Sequence, residues 1–86
     1  RKIMSDIYVI NALENFICEE LERCFVLSRI AIINHAFREN LKFTPEEMDE
    51  AFARLVDEGR IVKYKKGYAR AGLSREQMKY FYEMTD

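Results

Sequence analysis

Apolar residues recur at three- and four-residue steps in several stretches of this chain, and such spacing predicts amphipathic helices. The first helix is predicted at residues 5–23, with an apolar stripe formed by Ile7, Ile10, Leu13, Phe16, Ile17 and Leu21. The second is predicted at residues 28–40, where Ser28 is a good N-cap and Asn40 a stop. Its predicted core positions are Ile30, Ile33, Phe37 and Leu41.

The third predicted helix, at residues 44–58, has the strongest start signal in the chain. Thr44 supplies an N-cap hydroxyl, Pro45 occupies the first helical position, and Glu47 follows the cap by three residues. Gly59 can take a positive φ and so end the helix at about residue 58. The residues predicted to face the core are Met48, Ala51, Phe52, Leu55 and Val56.

Short β segments are predicted around the helices. Residues 60–64 and 68–70 favour two strands, with residues 65–67 between them and Gly67 supplying the turn. Tyr64 alternates with the lysines of the first strand and is expected to pack on the core. Residues 24–27 form a short β-favouring link before the second helix. Ser74 and Gln77 repeat the capping-box chemistry and predict a final helix at residues 74–84.

The size and composition are those of one small globular domain. The chain has 86 residues, of which 49% are hydrophobic and 34% charged, and no run of apolar residues approaches the length of a membrane span. Cys18 and Cys24 are too few for a disulfide framework, so free thiols in the cytoplasm or nucleus are expected. Because the chain begins at Arg1 and not at methionine, we expect it to be a piece of a longer protein.

Candidate catalytic and metal-binding chemistry is sparse. Cys18, Cys24 and His35 are three potential zinc ligands, one short of the four that a structural site normally uses. No glycine-rich phosphate loop or paired-carboxylate spacing occurs. We therefore expect no enzyme activity, no metal and no cofactor.

Charge is distributed unevenly although the net charge is only −1. Residues 44–58 carry one basic and six acidic side chains, a net charge of −5. Residues 60–70 carry five basic side chains and no acid, a net charge of +5. Opposite charges are thus predicted on neighbouring elements, an acidic third helix and a basic hairpin.

The order helix, short strand, helix, helix, strand, strand, helix resembles the winged-helix branch of the helix-turn-helix superfamily. The resemblance covers about residues 5–71 and is most specific from Leu55 through Gly59, Arg60, Ile61 and Val62 to Gly67 and Tyr68. It implies a three-helix core with a β-hairpin wing at residues 60–70, to which the helix at residues 74–84 is an addition. In proteins of this kind the third helix commonly enters the major groove of DNA and the wing contacts the adjacent backbone.

The first functional hypothesis is therefore binding of double-stranded DNA, led by the wing, in a transcriptional regulator or a replication protein. About three or four neutralised phosphates would give a log–log salt slope near −3 to −4. The candidate DNA-binding residues are the wing bases Arg60, Lys63, Lys65, Lys66 and Arg70, with Arg54, His35, Arg38 and Lys42 as further contacts.

The alternative is a protein-interaction module. The exposed face of the third helix is predicted to carry Glu46, Glu50, Arg54 and Asp57, and acids facing the same side as the wing lysines would make duplex DNA a poor partner. Tyr80 and Met84 lie four residues apart in the last helix, which could supply an apolar surface for a homodimer or for the parent protein.

Overall fold

The computed structural model describes the backbone of residues 6–84 and the side chains of residues 6–79. This part of the chain is mostly helical and also contains a small antiparallel sheet, so the α+β class is as predicted. The elements follow the predicted order, with bounds α1 (Ile7–Cys24), β1 (Val26–Ser28), α2 (Arg29–Arg38), α3 (Pro45–Asp57), β2 (Ile61–Tyr64), β3 (Gly67–Arg70) and α4 (Arg75–Met84).

Short polar side chains start the helices, and Ser28, Thr44 and Ser74 do so as predicted. Asp6 caps α1, and the Ser28 and Ser74 hydroxyls accept hydrogen bonds from the first turns of α2 and α4. At α3 the Thr44 hydroxyl accepts from the Glu47 N–H at 3.1 Å, and the Glu47 carboxylate accepts from the Thr44 N–H at 2.8 Å. The second oxygen of Glu47 accepts from the Asp6 N–H at 3.1 Å, which ties the starts of α1 and α3 together.

The three strands pair in the order β1–β3–β2, and both pairings are antiparallel. Leu27 of β1 and Lys63 of β2 both lie opposite Tyr68 of the central strand, so these three residues share one face of the sheet. That face meets the helices, because Tyr68 belongs to the main hydrophobic core. Tyr64 is buried, as expected, and lies opposite Gly67 on the other face of the sheet, outside the main cluster that contains Tyr68.

The hydrophobic core lies between the helices and this sheet face. The predicted stripes of α1 and α3 are confirmed, except that Ile7 is exposed at the start of α1. The buried core residues are Ile10, Leu13, Ile17, Leu21, Ile32, Ala36, Met48, Ala51, Phe52, Leu55, Ile61 and Tyr68.

The predicted core face of α2 is correct in part: Ile33 and Leu41 pack against the core, but Ile30 and Phe37 do not. Ile30 is 70% exposed and Phe37 is 59% exposed, whereas Ile32 and Ala36 are fully buried. Because α2 carries apolar residues on several sides, two lines of side chains satisfy helical spacing, and the line that ends in the small Ala36 is the one that packs inward. Phe37 instead stacks on Phe43, with ring centroids 5.1 Å apart.

The last helix forms where it was predicted, but the side chains that suggested a homodimer or a parent-protein contact lie outside the described residues. This applies to Tyr80 and Met84, the pair on which that surface was proposed. None of the helices within residues 6–84 is long and apolar enough to cross a membrane.

Candidate functional site

An open groove of about 1130 Å³ runs between α3, the start of α2 and the tip of the β2–β3 hairpin. We call it the α3–hairpin groove. One face of the hairpin lies against α3, through contacts of β2 and through the Tyr68 ring of β3, and Lys65 and Lys66 form the two-residue loop between the strands. Its lining residues are Ser28, Arg29, Ile30, Asp49, Phe52, Ala53, Val56, Asp57, Lys63, Lys65, Lys66, Gly67 and Tyr68.

The floor of the groove is aromatic. Phe52 of α3 and Tyr68 of β3 stack nearly parallel, with ring centroids 4.2 Å apart and planes 5° apart. Both rings are almost fully buried, and burial raises the pKa of the Tyr68 phenol. The stack therefore joins α3 to the hairpin at the base of the groove.

Apolar side chains also reach the rim. Ile30 projects from the first turn of α2 and is the more exposed of the two apolar rim residues, while Val56 of α3 is partly buried. An isoleucine with 70% of its surface in water gains little from folding. This part of the rim therefore offers apolar surface that folding leaves uncovered.

Both signs of charge meet in the groove. Asp49 and Asp57 of α3 line it together with Lys63, Lys65 and Lys66 of the hairpin. The sequence predicted an acidic helix beside a basic hairpin, and these residues do lie on one shared surface.

Arg29 of α2 connects the charged groups at one end of the groove. Its guanidinium pairs with the Asp49 carboxylate, and its backbone N–H donates to the Lys66 carbonyl at 3.0 Å. The second contact anchors the hairpin loop to the start of α2. The lysines of the loop are thus carried on a backbone that is held in place.

Gly67 is needed for close packing, not for a turn. It lies in β3 opposite Ser28, and it is not among the residues with positive φ. A Cβ at this position would lie 2.3 Å from the Leu27 carbonyl oxygen and 2.6 Å from the Ser28 Cα. The prediction that Gly67 supplies the turn is therefore wrong: the glycine lets β1 approach β3 at the edge of the groove.

Arg60 and Arg70, the outer two of the five predicted wing bases, do not line the groove. Arg60 donates to the Cys18 sulfur at 3.4 Å and lies 3.5 Å from a Glu58 oxygen. Burial raises the pKa of the Cys18 thiol, and the nearby Arg60 partly opposes that rise. Arg60 therefore contacts the first helix.

Arg70 likewise turns toward the end of α1. Its Nε atom lies 3.4 Å from a Glu22 oxygen, and its guanidinium sits 5.7 Å from the centroid of the Phe25 ring. The wing bases thus divide into three lysines at the groove and two arginines beside α1.

The remaining predicted residues are dispersed. Arg54 lies 3.3 Å from an oxygen of the buried Glu14 and so faces α1, not the groove. His35 Nδ1 lies 2.6 Å from Glu20 Oε1, and the two line a cavity of about 160 Å³ with Arg23, Arg38 and Glu39. Lys42 is exposed in the segment that follows α2. None of these four bases lines the α3–hairpin groove.

Sequence reasoning missed three groove residues, Arg29, Ile30 and Asp49. Ile30 was assigned to the core because its spacing from Ile33 and Phe37 fits a helix stripe. The position of Arg29 at the start of a helix was predictable, because it directly follows the N-cap Ser28. Its pairing with Asp49, twenty residues away, is a tertiary contact that spacing does not reveal.

Within the described residues, no group of three or more His, Cys, Asp or Glu side chains could hold a metal ion. Comparison of the chain with protein-family models, with curated proteins and with solved structures found no match.

Proposed function

We propose that this chain is a winged-helix domain that serves as a protein-interaction module and binds a segment of a partner protein in the α3–hairpin groove. The order of its elements and the strand order β1–β3–β2 support the winged-helix assignment. One observation carries the functional choice: Asp49 and Asp57 of α3 line the same groove as the hairpin lysines.

That arrangement is unfavourable for a duplex. In a DNA-binding winged helix the third helix and the wing face the same nucleic acid, so both need to tolerate phosphate. Here Glu46 and Glu50 are exposed on α3 in addition to the two groove aspartates. Arg54 is turned toward Glu14 and does not offset them. A duplex that contacted both the hairpin and α3 would bring its phosphates near the exposed carboxylates of α3, which repel them. Of these carboxylates only Asp49 and Asp57 line the groove, and Asp49 is paired with Arg29.

The apolar part of the groove favours a polypeptide. Protein-interaction sites combine buried aromatic or aliphatic anchors with a polar rim, and the Phe52–Tyr68 floor beneath Ile30 has that composition. The volume of about 1130 Å³ exceeds the roughly 300–1,000 Å³ of typical small-molecule pockets. An extended or helical segment of several residues fits such an open groove better than a metabolite.

Duplex DNA remains the second candidate because of one specific observation. Lys63 and Lys66 are exposed, and within the described residues neither ammonium group has a carboxylate at ion-pair distance. The three hairpin lysines alone would give a log–log salt slope of about −3. This candidate requires the hairpin to reach phosphates while α3 stays away from the duplex.

The test uses a random peptide display library and a labelled random duplex on the same set of variants. Ile30→Asp places a charge on the apolar rim, and Phe37→Asp is the matched control, since both residues are exposed apolar positions on α2 but only Ile30 lines the groove. We expect enriched peptides that bind the native domain and the Phe37→Asp variant but not Ile30→Asp.

Two results would overturn the proposal. Peptides that bind Ile30→Asp as well as the native domain would show that the groove is not the binding site. Salt-dependent binding of the duplex, unaffected by Ile30→Asp and abolished by combined Lys63→Glu, Lys65→Glu and Lys66→Glu substitutions, would establish DNA as the ligand instead.

A further inference from the structure

The side chains that line the α3–hairpin groove include more basic than acidic groups. Arg29 and Asp49 pair with one another. The other charged lining residues are Asp57 and the hairpin residues Lys63, Lys65 and Lys66. Within the described residues neither Lys63 nor Lys66 has a carboxylate at ion-pair distance, so these two ammonium groups carry the excess positive charge that a partner can meet.

The excess positive charge is held in a defined place. The Lys66 carbonyl accepts the Arg29 N–H at 3.0 Å, and Lys63 lies directly opposite Tyr68 in the β2–β3 ladder. Both backbone positions are therefore fixed relative to the aromatic floor. The ammonium groups themselves are on flexible, exposed side chains, which lets them adjust to carboxylates at slightly different positions.

We propose, on the basis of the docking function above, that the occupant of the groove is an acidic segment of a partner protein. Its apolar residue contacts Ile30 and Val56 above the Tyr68 ring, and two or more carboxylates next to it face Lys63 and Lys66. The groove combines basic and apolar side chains, which favours this occupant. A basic segment would be repelled by the lysines, and a segment with only acidic residues would leave the apolar rim exposed to water.

The probe is the same random peptide library, read for the charge and apolar content of the enriched sequences. The native domain should enrich peptides that combine at least two acidic residues with a large apolar residue. Replacing the acidic residues of one enriched peptide by Gln should weaken binding about fivefold to thirtyfold, since two exposed ion pairs at a rim contribute modestly. That loss should be smaller at high salt.

A charge exchange gives the sharper measurement. The Lys63→Glu, Lys66→Glu variant should lose affinity for the acidic peptide and regain it for a version whose acidic residues are changed to Lys. Lys42→Glu is the matched control, because Lys42 is exposed but lies outside the groove. It should leave the affinity for the acidic peptide within about twofold, since an exposed charge outside the site contributes little.

The outcomes separate this inference from the function on which it rests. Enriched peptides that depend on Ile30 but are neutral or basic would overturn the acidic partner and leave the docking function standing. Enriched peptides that do not depend on Ile30 would overturn both. Equal weakening by Lys42→Glu and by the groove substitutions would show non-specific attraction of polyanions, and that result also overturns the acidic-segment proposal.

Discussion

Replacement of Gly67 is the most direct test of how the groove is built. Gly67→Ala adds one Cβ, which in the native backbone would lie 2.3 Å from the Leu27 carbonyl oxygen. Ordinary van der Waals contacts of a Cβ begin at about 3.4 Å, so β1 would have to retreat by about 1 Å. The clash is with backbone atoms and not with the flexible end of a side chain. No rotamer change can therefore relieve it.

The cost follows from what the retreat disturbs. Forcing backbone shifts in a packed region costs about 1–3 kcal/mol. The Arg29 N–H to Lys66 carbonyl hydrogen bond lies next to the site, and its loss would add about 1 kcal/mol. Alanine also has less conformational freedom than glycine in the unfolded chain, which offsets about 0.4–1 kcal/mol of this loss of stability. The free energy of unfolding should fall by about 1–3.5 kcal/mol, and Tm by at least about 4 °C for a domain of this size.

Urea and thermal unfolding of Gly67→Ala and Gly67→Asn measure this effect. Asparagine tolerates positive φ, so it would be better than alanine if the glycine served a turn, whereas its larger side chain makes it no better if the clash decides. Gly72 is the control, because its φ is +83° and a Cβ there meets nothing within 4 Å. At Gly72 asparagine should cost less than alanine. A Gly67→Asn variant as stable as the native domain would refute the close-approach explanation.

Internal polar contacts of the helices and one buried phenol provide three more measurements. Thr44→Ala removes the hydroxyl that accepts from the Glu47 N–H, and urea unfolding should show a loss of about 1 kcal/mol, whereas an unchanged midpoint would contradict the capping explanation. A double-mutant cycle of His35→Ala and Glu20→Gln should give a coupling energy of at least about 0.5 kcal/mol, and strict additivity would show that their 2.6 Å contact contributes nothing. Because burial raises the pKa of Tyr68, its stabilising contribution is fully present below about pH 10 and is lost as the pH rises through the folded-state pKa. Circular dichroism at rising pH should accordingly show a shallower alkaline loss of stability in Tyr68→Phe, and an identical profile would refute this assignment.

The parts of the fold that were predictable are those decided by neighbouring residues. Helix starts depend on a hydroxyl or carboxylate within three residues of the first turn, and Ser28, Thr44 and Ser74 were all identified on that basis. Asn40 and Gly59 were expected at helix ends, and both have the positive φ that such positions require. Local chemistry of this kind does not depend on how the elements pack.

The parts that could not be predicted depend on which surfaces meet. Apolar side chains of α2 follow helical spacing on two sides of the helix. Which side is buried depends on the elements packed against α2, and these bury Ile32 and leave Ile30 exposed. Gly67 was predicted to be a turn residue because it directly follows Lys65 and Lys66 between two β-favouring segments. A glycine is needed there because of the close approach of β1, which lies about forty residues earlier in the chain. The charges of the candidate site were predicted element by element. Their partners, such as Glu14 for Arg54, were not, because those contacts join distant segments.

The internal pairing of charges separates the bases that stabilise the fold from Lys63 and Lys66, which have no carboxylate at ion-pair distance within the described residues. Two buried carboxylates of α1 engage bases of the neighbouring helices, since Glu14 lies against Arg54 and Glu20 against His35. Removing the Glu14 carboxylate would leave the Arg54 charge without its partner, and removing the Glu20 carboxylate would leave the His35 ring without this contact, so these bases stabilise the fold. Lys63 is under no such constraint within the described residues. On the proposal above, a partner that binds this domain through charge would contact Lys63 and Lys66, and an apolar residue beside its carboxylates would contact Ile30.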